Sequence, residues 1–298
     1  MEKTALGNTG LEVSRLGVGL SEIRSLDVDD AASVLSRALD AGINFLDTSA
    51  CYGASEELIG ASVSKRRDEF VLATKAGHVT PDYQGEPWTY KTVKDSVDRS
   101  LRRLKTDHVD LVQLHSCDTA VLERGDVVRA LQEAREQGKT RFVGYSGDNE
   151  AAHWAVDSGY FDTLQTSFNL VDQHARTTGL LRKADQRGMG IIIKRPIANG
   201  AWGATSAPSA YAEEYFRRAQ AMQKEGRLPG ARMDRISLAM AFTFAHPEVD
   251  VAIVGTRNPD HMASNARMVK QGLSIPDETL KELYERFERL DDGWRQRT

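Results

Sequence analysis

The chain has 298 residues, 40% hydrophobic and 28% charged, with a formal net charge of −4 and mean hydropathy −0.45. This is the profile of a globular protein long enough for a barrel-sized unit of ~250 residues, and it excludes the basic field that nucleic acid or an anionic membrane surface requires. No apolar run approaches the ~20 residues that span a bilayer, the N-terminal MEKTALGNTGLEV lacks an apolar signal core, and two cysteines, Cys51 and Cys117, are too few for a disulfide framework or a Cys-rich zinc site.

A cytoplasmic protein is therefore expected, with no membrane or nucleic-acid partner and no metal site. Both cysteines read as small buried filler.

In chain order, Gly7-Asn8-Thr9-Gly10 predicts a tight turn within a small N-terminal hairpin. Ser14 to Gly19 predicts the first main strand. From there, short apolar runs bounded by turn residues alternate with amphipathic stretches of helical period. Strands are predicted to begin near Asn44, Phe70, Val109, Thr140, Thr163, Gly190 and Val251. Helices are predicted over 29–41, 55–64, 91–104, 126–137, 149–158, 175–187, 235–245 and 259–269. In 126–137, for example, Val127, Val128, Leu131 and Ala134 share one face.

Strand and helix in repeated alternation imply right-handed parallel crossovers. Eight such strands predict an α/β chain closed into a (β/α)8 TIM barrel. The interval after the seventh strand is too long for one unit and predicts an insertion over about 199–234, with a helix-like AYAEEYFRRAQAMQK inside it. Because it follows a strand, it should lie over the barrel's C-terminal mouth, where such barrels keep their active sites. A last helix, about 276–291, is expected to pack outside the barrel. No composition shift marks a boundary, so 1–298 reads as a single domain.

Three consecutive strands end in ionisable residues. The strand from Asn44 ends at Asp47, with Tyr52 five residues on, the next ends at Lys75, and the third ends at His115. Singly, each has a plain structural reading as a turn residue, a loop aromatic or a solvated strand end. Delivered together to one face of a barrel, they form a candidate site. A phenol of pKa ~10 is a weak acid near neutrality. A neighbouring ammonium stabilises its phenolate, and should lower the Tyr52 pKa and ease proton donation. Asp47 would hold Lys75, and His115 would orient a substrate oxygen. The set lacks a hydride, so it suits carbonyl reduction once a reduced nicotinamide is supplied.

The run from Gly42 to Gly53, GINFLDTSACYG, with Ser55-Glu56 and Leu58-Ile59-Gly60 after it, resembles the first signature of the aldo-keto reductase superfamily. LRRLKTDHVDLVQLH, ending at His115, is similar to that family's helix and strand leading to its histidine. The resemblance runs from about residue 4 to 270. It implies the barrel, NAD(P)H use, a small carbonyl substrate and a catalytic tetrad of Asp47, Tyr52, Lys75 and His115. It also places Ser146 and Gln165 at the nicotinamide carboxamide, Pro196, Ile197 and Asn199 along the cofactor groove, and Gly255, Thr256, Arg257, His261 and Asn265 at the adenosine end. Arg257 points to NADPH, with NADH also possible, since a guanidinium matches a 2′-phosphate.

Two positions depart from the family pattern. Gly147 stands where many members have Asn, and Lys194 stands where many have an aromatic that stacks on the nicotinamide. Lys194 either covers the ring with its stem or swings with Arg195 toward the pyrophosphate. Loops around Leu20 to Arg24, Trp88, Cys117 to Arg124 and Trp202 are expected to line the substrate pocket. The competing function is a cofactor-sensing regulatory or channel-associated subunit, a role some members of the superfamily have.

Overall fold

The computed structural model describes residues 1–296. Two short strands, β1 (Lys3–Ala5) and β2 (Glu12–Ser14), pair antiparallel around a single 3-10 turn at Gly7–Thr9. This ribbon caps one end of the barrel. Leu6, Leu11 and Val13 are buried with Phe45, Val71, Leu111, Ile192 and Val251 from the barrel strands. Gly7 donates its N–H to Asp250 Oδ2 (3.1 Å), and a Cβ on Gly7 would lie 2.3 Å from the Gly190 nitrogen, so no other residue fits at that contact.

Eight parallel strands form the closed barrel: β3 (Leu16–Gly19), β4 (Phe45–Asp47), β5 (Val71–Ala76), β6 (Val109–His115), β7 (Thr140–Ser146), β8 (Thr163–Ser167), β9 (Gly190–Lys194) and β10 (Val251–Val254), with β10 pairing back to β3. The predicted strands are all present. Around them run α1 (Val28–Asp40), α2 (Ser55–Ser62), α3 (Tyr90–Leu104), α4 (Thr119–Arg124), α5 (Asp126–Glu136), α6 (Asn149–Ser158), α7 (His174–Thr177) and α8 (Leu180–Gln186). They continue with α9 (Glu213–Lys224), α10 (Arg235–Phe244), α11 (Pro259–Lys270) and α12 (Asp277–Leu290).

Local chemistry explains these helices. Asp27 caps α1 by accepting from the Asp30 N–H at 2.8 Å, and the helix buries Ala31, Val34, Leu35 and Ala38 along one stripe. Thr89 caps α3 and Asp234 caps α10 in the same way. The helix expected over 175–187 is two helices, because Gly179 (φ 75) interrupts it in the left-handed conformation. Sequence periodicity missed α4, which at six residues is too short to show a period.

The insertion after β9 carries α9 as expected. Arg286 of α12 donates through Nη1 to the Met222 and Gly226 carbonyls, at 2.9 and 2.8 Å, tying the last helix to it. Beyond α12 the chain returns to the barrel mouth, where Gln296 Nε2 donates to the Ser167 carbonyl at 2.6 Å. Among the described residues no helix is long and apolar enough to cross a membrane.

Candidate active site

Strand register assembles the site. Across the parallel ladders His115 pairs with Ser146, Ser146 with Gln165, and Ser167 with Lys194. The C-terminal ends of four neighbouring strands thus align His115, Ser146 and Gln165 in one row, with Ser167 and Lys194 two residues further toward the mouth. Asp47 ends β4, and Tyr52 follows on the loop into α2.

At the centre, Lys75 Nζ donates to Asp47 Oδ2 at 2.5 Å and to the Thr48 carbonyl at 2.9 Å. Both side chains are almost wholly buried. The ammonium lies 5.1 Å from the Tyr52 ring centroid, and the Tyr52 and His115 rings meet edge to face at 5.7 Å. The four residues proposed from the sequence as a tetrad are therefore neighbours. The other Asp47 oxygen accepts from Gln165 Nε2 at 2.9 Å and from Gln113 Nε2 at 3.2 Å.

The sequence reading passed over Gln113, although strand alternation puts it on the same face of β6 as His115. It also passed over Ser49, whose hydroxyl lies 3.2 Å from His115 Nδ1. Cys51 Sγ lies 3.5 Å from the same nitrogen. The expectation of buried filler holds for Cys117, whose thiol burial pushes up to about 12. It fails for Cys51, which is half-exposed and touches the histidine.

Burial pushes the Tyr52 phenol up from its ordinary 10.0, and Lys75 opposes that shift without overcoming it. This corrects the expectation of a lowered pKa, which counted the cation and left out desolvation. For Lys75, burial disfavours the ammonium, but the Asp47 carboxylate and Tyr52 outweigh it and hold the group above 10.5. Burial, with Lys75, His78, Lys194 and Arg195 nearby, drives His115 well below 6.5. His115 is a neutral imidazole at neutral pH, with one N–H to donate.

Of the cofactor residues inferred from the sequence, Ser146 donates to Gln165 Oε1 at 2.7 Å. Gly147 has a packing reason. A Cβ there would lie 2.3 Å from the Tyr145 hydroxyl, which donates to the Cys117 carbonyl, so the asparagine of other members has no room. Lys194 reaches across the mouth to Asp148 Oδ2 at 2.9 Å, and Arg195 Nη1 donates to Ser167 Oγ at 2.5 Å. The sequence reading missed Asp148, the common partner of both cations. It also accepts from Thr166 Oγ1 and the Ser167 N–H.

After Pro196 and Ile197, the residues Ala198, Asn199 and Gly200 all take positive φ (49, 52 and 76). Asn199 Nδ2 is buried there, and among the described residues it finds no hydrogen-bond partner. After the neighbouring strand β10, a Cβ on Gly255 would lie 2.8 Å from the Gly19 carbonyl, a close approach that needs glycine. Thr256 and the exposed Arg257 follow. Asn258 then caps α11 by accepting from the Asp260 N–H at 2.8 Å, and His261 and Asn265 lie on that helix. Trp202, expected to line the pocket, is instead buried in the insertion and packs into the core.

Fold and site together define an oxidoreductase barrel. The eight-stranded parallel barrel holds a phenol, a buried Asp–Lys pair and a neutral imidazole at the C-terminal ends of its strands, where such barrels do their chemistry. Residues 15–285 match the Aldo/keto reductase family, and the chain belongs to that family. It is 28% identical to L-galactose dehydrogenase of Arabidopsis thaliana, over 95% of this chain and 93% of that relative. It is 30% identical to 6-dehydroglucose reductase of Novosphingobium aromaticivorans, over 89% of each. Among solved structures, the holo form of an aldo-keto reductase from Bacillus halodurans shares the fold, with TM-score 0.82 over 96% of both chains at 23% identity. Members of the family use NAD(P)H.

Proposed function

We propose that the protein is an NADPH-dependent reductase that converts an aldehyde or ketone to an alcohol, reversibly. The observation that carries this reading is the buried Lys75–Asp47 pair with its ammonium beside the Tyr52 ring. In this reading Tyr52 gives its proton to the substrate oxygen, and Lys75, held charged by Asp47, stabilises the phenolate left behind. His115, neutral and held through Nδ1, donates from its other ring nitrogen to the same oxygen and orients it. Gln113 and Gln165 keep the Asp47 carboxylate in place.

The dinucleotide, when bound, supplies the hydride. Two observations support a fit. Asn199 Nδ2 is a buried donor with no hydrogen-bond partner among the described residues. Lys194 and Arg195, a few residues earlier, bring two positive charges against the single Asp148 carboxylate, a local excess that suits an anionic ligand. Ser146 and Gln165 would hold the nicotinamide amide, with Pro196, Ile197 and Asn199 along the groove. Gly255, Thr256, Arg257, His261 and Asn265 would hold the adenosine end. The reading includes a single domain over 1–298, a cytoplasmic location and a small-molecule carbonyl partner.

The test is oxidation of NADPH, and separately NADH, against a panel of plain, hydroxylated and carboxylated aldehydes and ketones. The relative named for L-galactose supports including the hydroxylated ones. Turnover with members of the panel, abolished in Tyr52→Phe, is expected. Tight NADPH binding with no turnover would favour the cofactor-sensing subunit.

A further inference from the structure

The loop after β5 seats an aromatic pair against His115. Trp88 is held at φ 50, in the left-handed region that bulky residues rarely adopt. Three contacts fix it there. Its N–H donates to the Gly77 carbonyl at 2.8 Å, its indole Nε1 donates to the His115 carbonyl at 3.0 Å, and Arg124 Nη2 donates to its own carbonyl at 3.1 Å. Gly77, at φ 124, makes room, since a Cβ there would lie 2.7 Å from the indole. Such backbone strain persists only where the surroundings over-determine it, and it clusters at functional sites.

His78 stands between Trp88 and His115. It meets the indole at 4.8 Å and 62°, and the His115 ring at 4.7 Å and 90°. Burial lowers this imidazole from 6.5, so at neutral pH it offers one donor and one acceptor nitrogen. Its ring contacts among the described residues are with these two, and none of those residues hydrogen-bonds either of its nitrogens.

We propose that Trp88 and His78 form the specificity wall of the site, and that the substrate is a hydroxylated aldehyde or ketone. Its C–H face packs on the indole and one of its hydroxyls hydrogen-bonds His78. This rests on the carbonyl-reductase reading above. A hydroxyl both donates and accepts, and so matches a neutral imidazole. A carboxylate only accepts, and a plain alkyl chain would bury the imidazole nitrogens without a partner.

The test compares kcat/KM for glyceraldehyde, propanal and succinic semialdehyde in the wild type, His78→Phe and Trp88→Phe. His78→Phe keeps a ring between Trp88 and His115 but removes both nitrogens. It is expected to lower the glyceraldehyde-to-propanal ratio about two- to tenfold, mainly through KM, as the loss of one neutral hydrogen bond implies. Trp88→Phe should raise KM for both aldehydes, since it removes contact area without a hydrogen bond. An unchanged ratio in His78→Phe, or a wild type that prefers succinic semialdehyde, overturns the proposal. If none of the three is reduced, the reductase reading fails separately. The wall is then judged by saturable quenching of tryptophan fluorescence by glyceraldehyde. Quenching weakened in His78→Phe supports it, and absent or unaltered quenching overturns it.

Discussion

Lys194 Nζ lies 2.9 Å from Asp148 Oδ2, joining the end of β9 to the residue that precedes α6. The Asp148 side chain is wholly buried, and burial pulls the Lys194 ammonium down to about 8 although Asp148 opposes the shift. Lys194→Met would strand the carboxylate without its nearest cation. Breaking a buried pair costs about 3–5 kcal/mol. The lower end is expected, because Thr166, Ser167 and Arg195 still face Asp148. Adding Asp148→Asn should restore most of the loss. Urea denaturation of the four species checks this, and purely additive effects would show that the two residues are not coupled.

Tyr52→Phe is expected to cut carbonyl reduction by ~10²-fold or more while leaving dinucleotide affinity nearly unchanged. The pH profile carries a second check. Because burial pushes the phenol above 10.0, the proton needed for reduction stays on Tyr52 throughout the neutral range. Reduction should therefore hold level until the pH passes the ordinary tyrosine value of ~10. In Lys75→Met, which removes the group that opposes the shift, the alkaline limb should move higher still. A loss of activity centred near neutrality would point to a different acid.

The barrel was legible because its signals are local and repeated. Apolar runs that end in turn residues, with amphipathic stretches between them, leave little choice of topology. The clustering of the four candidate residues was legible because strand ends address one face, so Asp47, Lys75 and His115 could be grouped from strand order alone. Contacts set by long-range packing were not legible. Asp148 lies after a strand whose end was already assigned to Ser146 and Gly147, and only the folded chain turns Lys194 toward it. Nothing in its own neighbourhood marks Gln296 as a residue that returns to the end of β8. Gln113 is the exception: strand alternation alone puts it on the same face of β6 as His115, but a neutral amide on a strand carries no charge signal of its own. The sign of the Tyr52 shift was misjudged for a related reason, since desolvation depends on a burial that the sequence does not show.

Asp250 predicts a pH-dependent stability at the hairpin end of the barrel. Its Oδ2 accepts from the Gly7 and Ile191 N–H groups, at 3.1 and 2.8 Å, while burial raises its pKa to about 6. A carboxyl raised on folding contributes its stability fully below the unfolded value near 3.8, and that contribution is lost as pH rises through about 6. Asp250→Asn keeps an oxygen to accept both bonds and does not ionise. Its melting temperature relative to wild type should therefore climb between about pH 4 and about pH 7 and then level off. Calorimetry across that window decides, and a difference that stays flat would mean that Asp250 does not titrate anomalously.

The last prediction concerns cofactor choice. Arg257 is exposed, two residues beyond the Gly255–Gly19 contact and just before the capped start of α11. Its nearest acidic neighbour along the chain, Asp260, pairs with Arg37 at 3.6 Å instead. A guanidinium so placed suits the 2′-phosphate of NADPH, which it can grip with paired hydrogen bonds. Hydrogen bonds to a charged group are worth roughly 1.5–3 kcal/mol, or about one to two decades in binding. Arg257→Ala should weaken NADPH by that factor and leave NADH nearly unaltered. The rival role, stacking on the adenine face, would weaken both dinucleotides alike, because adenine is common to them. Tryptophan-fluorescence titrations of NADPH and NADH into wild type and variant separate the two, and equal losses would reject the phosphate-binding role. Salt gives an independent handle. The Arg257-dependent part of NADPH affinity should fall as ionic strength rises, because an exposed charge pair is screened over about 10 Å at 0.1 M, whereas stacking is scarcely screened.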